Sequence, residues 1–317
     1  MNLKNESIFL AGHNGLVGSS VYNLLKKKSF KKIFTVNRNK LDLTNQAEVF
    51  KYLKKIKPAN VIICAAQVGG IKDNMLYPAN FIYQNLMIQN NLIHGAYISG
   101  VKNLIFLGSS CIYPKFAYQP IKEMEFLNGK LETSNQSYAV AKIAGVEMCK
   151  AYNQQFNTNY KCLMPSNLYG PNDNYNLQSS HFFAAAVRKI YEAKIKNKKK
   201  IHFWGSGKPK REALFVDDLA DGIIFFLSKK INQNLINIGS GFELSIKQYI
   251  KLISEILNYE GEIIFNNNKK FDGTPRKIVD NTLAHKFGWK AKHKFVDGIK
   301  ITINDFIKNK KNYLKDK

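Results

Sequence analysis

Tyr138 and Lys142 stand four residues apart in Tyr138-Ala139-Val140-Ala141-Lys142, a spacing that puts a phenol and an ammonium on one face of a helix. A tyrosine with a pKa of about 10 is a poor proton carrier at neutral pH, and a fixed cation beside it is expected to lower that value by favouring the phenolate. An exposed amphipathic helix would show the same spacing, so the pair gains meaning only from its company. Upstream, the apolar run from Asn103 to Gly108 ends in Ser109-Ser110-Cys111. A strand ending there presents hydroxyls at the carboxyl edge of a parallel sheet, where such sheets bind ligands. Ser109 is then placed to donate a hydrogen bond to the same carbonyl oxygen that Tyr138 protonates.

A second chemical segment lies near the start, Gly12-His13-Asn14-Gly15-Leu16-Val17-Gly18. Glycines at this spacing permit a tight turn and a close approach of backbone to a pyrophosphate, whose charge is stabilised by a helix N-terminus. A bare surface turn would also match; the position between the first predicted strand and the first predicted helix is what favours a dinucleotide. About twenty residues further on, an NAD-selective chain offers an acid to the ribose 2′-hydroxyl, whereas NADP needs a cation for its 2′-phosphate. Here the sequence reads Asn37-Arg38 with no acid. NADPH is therefore the expected cofactor, with Arg38 as the phosphate clamp and Asp42 placed to reach the adenine.

These groups need a scaffold, and the first half of the chain supplies alternating patterns for one. Short apolar runs at Ser7 to Ala11, Lys32 to Val36, Val61 to Ala65 and Asn103 to Gly108 read as strands, and a further one is expected at Tyr160 to Pro165. Between them, Leu16 to Lys28, Asn45 to Lys55 and Asn80 to Ser99 have helical periodicity. This order implies right-handed crossovers and a parallel sheet covered on both faces, an α/β Rossmann-like doubly wound fold. The expected division is a cofactor domain over residues 1–170, to which a later stretch of about 210–240 returns, and a smaller substrate-binding lobe over most of 171–317.

The chain has 317 residues, 45% of them hydrophobic, enough for a large core. No signal-peptide pattern opens it, and its apolar runs fall short of the roughly 20 residues a membrane span requires, so a cytoplasmic location without membrane partners is expected. Cys64, Cys111, Cys149 and Cys162 show no CxxC or Cys/His spacing, which indicates neither a disulfide framework nor a metal site. The formal charge of +25 and the lysines between 194 and 200 could suggest nucleic acid. The lysines are spread along the chain and accompany an Asn, Ile, Phe and Tyr bias, so a solvated surface is the simpler account. No nucleic-acid partner is expected; a polyanionic small substrate is.

Glycine turn, strand-end serine and Tyr-x-x-x-Lys, in that order, resemble the extended short-chain dehydrogenase/reductase superfamily. Further segments narrow the likeness: Val68 to Ile71 (VGGI), Asn80 to Asn85 (NFIYQN), Leu107 to Pro114 (LGSSCIYP), Ala139 to Gly145 (AVAKIAG), Pro165 to Pro171 (PSNLYGP), Trp204 to Gly207 (WGSG) and Asp272 to Arg276 (DGTPR). Together with Ala11 to Gly18 they resemble the GDP-L-fucose synthases, which epimerise C3 and C5 of GDP-4-keto-6-deoxymannose and then reduce C4 with NADPH. The resemblance implies that Ser109, Tyr138 and Lys142 form the reductase triad and that Cys111 and His181 are the epimerisation acid-base pair. By type alone, Cys111 would be structural and His181 a satisfied surface histidine.

The same resemblance implies that Leu107, Gly108, Pro165, Ser166, Asn167, Leu168 and His181 line the cofactor and that Lys189, Trp204 and Arg211 face the GDP-sugar. It also implies a homodimer. Two positions depart from the pattern. Asn14 stands where relatives often carry arginine, which leaves more of the 2′-phosphate to Arg38. Ala213 stands where an aromatic is common, and the smaller side chain is expected to enlarge the pocket for a bulkier GDP-4-keto-6-deoxy sugar such as a heptose. The competing readings on the same fold are a 4-epimerase or a 4,6-dehydratase that recycles a retained NAD; dehydratases of this superfamily place an acid pair where this chain has Ser110-Cys111.

Overall fold

A computed structural model describes residues 3–266 and 272–314. Strands β1 (Ser7–Ala11), β2 (Lys32–Phe34), β3 (Asn60–Ile63), β4 (Asn103–Leu107) and β5 (Asn159–Pro165) alternate with helices α1 (Leu16–Lys27), α2 (Gln46–Ile56), α3 (Ile71–Leu76), α4 (Pro78–Ile98) and α5 (Gln136–Phe156). There follow β6 (Asn167–Tyr169), α6 (Phe182–Ile195), β7 (Lys200–Phe203), β8 (Lys210–Phe215), α7 (Val216–Leu227) and β9 (Leu235–Ile238). The chain continues through β10 (Glu243–Ser245), α8 (Ile246–Ile256), β11 (Glu262–Phe265), β12 (Arg276–Lys277), α9 (Thr282–Lys286) and α10 (Phe295–Tyr313).

The main sheet has the order β2-β1-β3-β4-β5-β9, and every pairing in it is parallel. Its strands are apolar on both faces because helices cover both. Phe9, Val61, Leu104 and Phe106 enter one core with Val49, Leu92 and Val146, whereas Ile8, Leu10, Ile62, Ile105 and Leu163 enter the other with Val21 and Leu219. The chain reverses direction across the sheet between β1 and β3, and such a switch point opens a crevice at the strands' carboxyl ends. The second lobe carries a sheet ordered β10-β8-β12, with β6 also on β8, and a separate β7–β11 pair. Its core gathers Tyr169, Phe183, Phe215, Tyr249 and Phe295.

The α/β doubly wound architecture expected from the alternating pattern is present. Three strands end earlier than expected: β3 stops at Ile63, β4 at Leu107 and β2 at Phe34, the last because at the sheet edge it has only β1 to pair with and the register ends at Phe9. Among the described residues, two α-helices start on side-chain caps: Asn45 accepts from the Glu48 amide at the start of α2, and Ser245 with Gln248 forms a capping box on α8.

Lys161, 1% exposed in β5, is a conflict inside this core: its ammonium has no hydrogen-bond partner among the described residues, and burial lowers its pKa to about 8. A lysine whose pKa falls from 10.5 to about 8 on folding costs ~3 kcal/mol at neutral pH. The unfolded chain holds the proton that the native one has lost between those two values, so stability rises with pH across that window. Lys161→Met is expected to raise Tm by about 5 °C at pH 7, with the gain shrinking as pH climbs from about 8 toward 10.5. Thermal unfolding at the two ends of that window checks the value and its sign.

Candidate active site

The glycine turn sits at the switch point. Gly12 has φ +87°, and a Cβ there would lie 2.6 Å from the Ala65 amide nitrogen; a Cβ on Gly18 would lie 2.0 Å from the Gly12 oxygen. The first contact closes the turn against the end of β3, and the second seats α1 on the turn, so neither position admits a larger residue. Gly15 is the N-cap of α1 and no side chain caps the helix. A Cβ on Gly15 would meet nothing nearer than the Gly12 oxygen at 3.7 Å. Free helix-start amides in open space fit a pyrophosphate. His13 packs its ring toward Tyr22, and Leu16 and Val17 open the helix.

In the turn beyond β2, Arg38 is exposed, as a clamp for a phosphate would be. Asp42 already accepts hydrogen bonds from the Thr44 amide and hydroxyl, which hold its carboxyl below the usual carboxylate range, with Arg38 adding to the effect. Near the strand ends, Pro165 closes β5, the Ser166 amide bonds to the Ile238 carbonyl, and Asn167 Nδ2 donates to the Glu212 carbonyl. Leu168 packs with the α7-side core.

β4 ends at Leu107, Gly108 follows, and the chain turns through Ser109 into one turn of 3₁₀ helix that carries Cys111. The Cys111 amide donates to Ser109 Oγ at 3.2 Å, so the hydroxyl oxygen is engaged and its proton remains available for a substrate oxygen. Beyond the turn, Tyr113 donates to buried Asn237 at 2.6 Å, and Asn237 in turn holds the Ile121 carbonyl. These bonds explain why the Leu107 to Pro114 segment has a fixed path.

Tyr138 and Lys142 do share a face of α5. Lys142, 3% exposed, donates to the Leu107 carbonyl at 2.9 Å and lies 5.8 Å from the Tyr138 ring centre. Burial lowers the Lys142 pKa to about 8, opposed by Cys64 and Cys162. For Tyr138 the expected lowering is overturned: burial pushes its pKa up, and Cys111 adds in the same direction. Desolvation wins because the ammonium is drawn onto Leu107 instead of the phenol oxygen. Tyr138 is thus a neutral phenol at pH 7, suited to giving a proton. Phe81 stands edge-on to its ring at 6.3 Å.

Cys111 is surrounded by donors. Asn135 Nδ2 lies 3.1 Å and Lys277 Nζ 3.6 Å from its Sγ, and Arg211 interacts electrostatically with it. Pairing of β12 with β8 sets Lys277 beside Arg211, which in turn donates to the Asp272 carbonyl at 2.9 Å. Burial lowers the Arg211 pKa to about 10, against the pull of Cys111, Asp272 and Glu132. The Cys111 sulfur therefore faces one ammonium and one amide donor.

His181 is the N-cap of α6, and no hydrogen bond joins it to Cys111 among the described residues. Although the residue as a whole is exposed, the protein packed around its ring lowers its pKa, with Asp73 opposing, and leaves a neutral imidazole able to accept a proton. The Gly70 amide donates to the Ser179 carbonyl at 2.9 Å, which ties the loop before α3 to the segment before His181.

Lys189 and Trp204 meet, with the ammonium 5.2 Å from the indole centre, and Lys72 lies 5.8 Å from the same ring. Burial lowers the Lys189 pKa. Two cations around an indole that is 45% exposed suit a diphosphate and a flat base. Ala213 does not enlarge this cleft: it is 3% exposed, packs in the second-lobe core, and its amide bonds to the Phe242 carbonyl. Three participants escaped the sequence. Lys277 directly follows the quoted DGTPR segment and could have been found there; Asn135 and Lys72 carried no signal of their own.

Comparison with known proteins agrees with this geometry. The NAD dependent epimerase/dehydratase family matches residues 8–239. GDP-L-fucose synthase 1 of Arabidopsis thaliana is 45% identical, covering 98% of this chain and 95% of its own, and GDP-L-fucose synthase of Escherichia coli strain K12 is 39% identical, covering 97% and 98%. Among solved structures, the GDP-mannoheptose C4 reductase MlghC of Campylobacter jejuni, with NADP bound, superposes with a TM-score of 0.87 at 35% identity over 96% of this chain and 99% of that one. On this match and these identities, the chain belongs to the NAD dependent epimerase/dehydratase family.

Proposed function

We propose that this protein is an NADPH-dependent enzyme of the GDP-L-fucose synthase type, which epimerises C3 and C5 of a GDP-4-keto-6-deoxy sugar and reduces C4. The observation that carries the reading is the placement of Cys111, held by Asn135 and Lys277 and close enough to Tyr138 to add to the upward push of burial on the phenol's pKa. A reductase alone needs the phenol; a base for the sugar's carbon acids also needs the thiol.

In this reading the C4 ketone acidifies the protons on C3 and C5. Cys111 and His181 remove and return them, the electron pair resting meanwhile on the C4 oxygen, where Ser109 and Tyr138 donate hydrogen bonds. NADPH, when bound, supplies the hydride for C4. Tyr138 then gives its proton to the C4 oxygen, and charged Lys142 holds the ribose end of the cofactor. Gly12 to Gly18, Leu107, Gly108 and Pro165 to Leu168 line the cofactor and Arg38 takes its 2′-phosphate; Lys189, Trp204 and Arg211 take the GDP-sugar.

The domain of residues 1–170, with about 210–240 returning to it, holds the cofactor, and most of 171–317 holds the sugar nucleotide. Two copies pair through α4, a 21-residue helix without a single Lys, Arg, Asp or Glu, whose Ile82, Tyr83, Leu86 and Met87 are not buried in one copy. No described helix is long and apolar enough to cross a membrane, and the four cysteines are free, which suits a reducing cytoplasm. The direct test is NADPH oxidation with the GDP-linked 4-keto-6-deoxy hexose, its UDP counterpart and the GDP-linked heptose. Turnover of the hexose supports the reading, turnover of the heptose alone replaces the substrate, and turnover of the UDP compound contradicts it.

A further inference from the structure

We propose that Asn172 is a positioning residue that locks the cofactor turn from the far side of the chain. The inference rests on the NADPH reading. Asn172 Nδ2 donates to the Asn14 carbonyl at 2.9 Å, and Asn14 Nδ2 donates to Asn37 Oδ1, also at 2.9 Å. Asn37 is the neighbour of Arg38. Asn172 is itself held from the C-terminal helix: its amide nitrogen lies 3.1 Å from Asp305 Oδ2 and 3.2 Å from the Tyr313 hydroxyl, which also donates to Asp305.

The bonds therefore run from α10 through Asn172 to the turn that faces the pyrophosphate, and from there to the segment that carries the phosphate clamp. Each link has a separate consequence. Asn172 fixes the backbone of the turn, which any nicotinamide dinucleotide would touch. The Asn14 side chain fixes only the approach of Arg38, which matters for a 2′-phosphate alone. Asn14 thus serves as a strut between two loops.

Asn172 has φ +63°, a conformation glycine adopts freely, so Asn172→Gly removes the amide group without straining the backbone. Asn172→Asp keeps the shape and the left-handed preference but cannot donate to the Asn14 carbonyl. Binding is read by the fluorescence of NADPH and of NADH on the full chain, together with steady-state kinetics. Both Asn172 variants are expected to weaken NADPH and NADH alike by about fivefold, with kcat at saturating NADPH and the KM of the sugar nucleotide unchanged. Asn14→Ala is expected to weaken NADPH by a similar factor and leave NADH as it was. Tight NADPH binding that neither Asn172 variant alters overturns the inference, and equal weakening of both cofactors by Asn14→Ala overturns its Arg38 arm. Absence of NADPH binding by the unaltered chain overturns the functional reading itself, and this inference with it.

Discussion

Tyr138→Phe is expected to lower C4 reduction by ~100- to 10,000-fold, the usual range for loss of a general acid. Burial, with Cys111 beside it, keeps Tyr138 protonated, so the phenol is a donor in the direction of reduction and phenylalanine has no proton to give. The substitution conserves the ring that packs edge-on against Phe81, and Lys142 keeps its bond to Leu107, so NADPH affinity should be retained. Single-turnover NADPH oxidation measures the loss, and cofactor fluorescence shows that binding survives. A loss below about tenfold would mean that another group or water protonates the C4 oxygen.

The second large effect concerns carbon-acid chemistry. Cys111→Ser is expected to reduce solvent deuterium uptake at C3 and C5 by ~100-fold or more, because an alkoxide is far harder to form than a thiolate. Reduction of a sugar that is already epimerised should continue, since Ser109 and Tyr138 are untouched. Lys277→Met tests the cause. Removing the cation 3.6 Å from Sγ should lower exchange on the order of tenfold without removing the thiol. Mass analysis of the recovered sugar in heavy water reads both variants. Unchanged exchange in Cys111→Ser would assign the base to another residue.

How much of this was legible depends on how local each signal is. Gly12 to Gly18, Ser109 and the Tyr138–Lys142 pair could be read directly, because a turn, a strand end and a helix spacing each occupy a few consecutive residues. The chemistry of Cys111 needed more. Its type says only that it is a small thiol; Lys277, 166 positions away, reaches it through the pairing of β12 with β8. The raised pKa of Tyr138 was not legible either, because i and i+4 spacing places Lys142 on the right face but does not reveal that its ammonium turns to Leu107. Ala213 misled for a similar reason: its neighbour Arg211 faces the site, while Ala213 itself is enclosed by the second-lobe core.

The central claim is that one site both epimerises and reduces. Its most direct test is to supply the purified protein with NADPH and GDP-4-keto-6-deoxymannose in heavy water, follow cofactor oxidation, and locate deuterium in the product by mass analysis. Oxidation accompanied by deuterium at C3 and C5 is the predicted result. Oxidation with no deuterium at either carbon would contradict it and leave a C4 reductase in which Cys111 has no part in the chemistry.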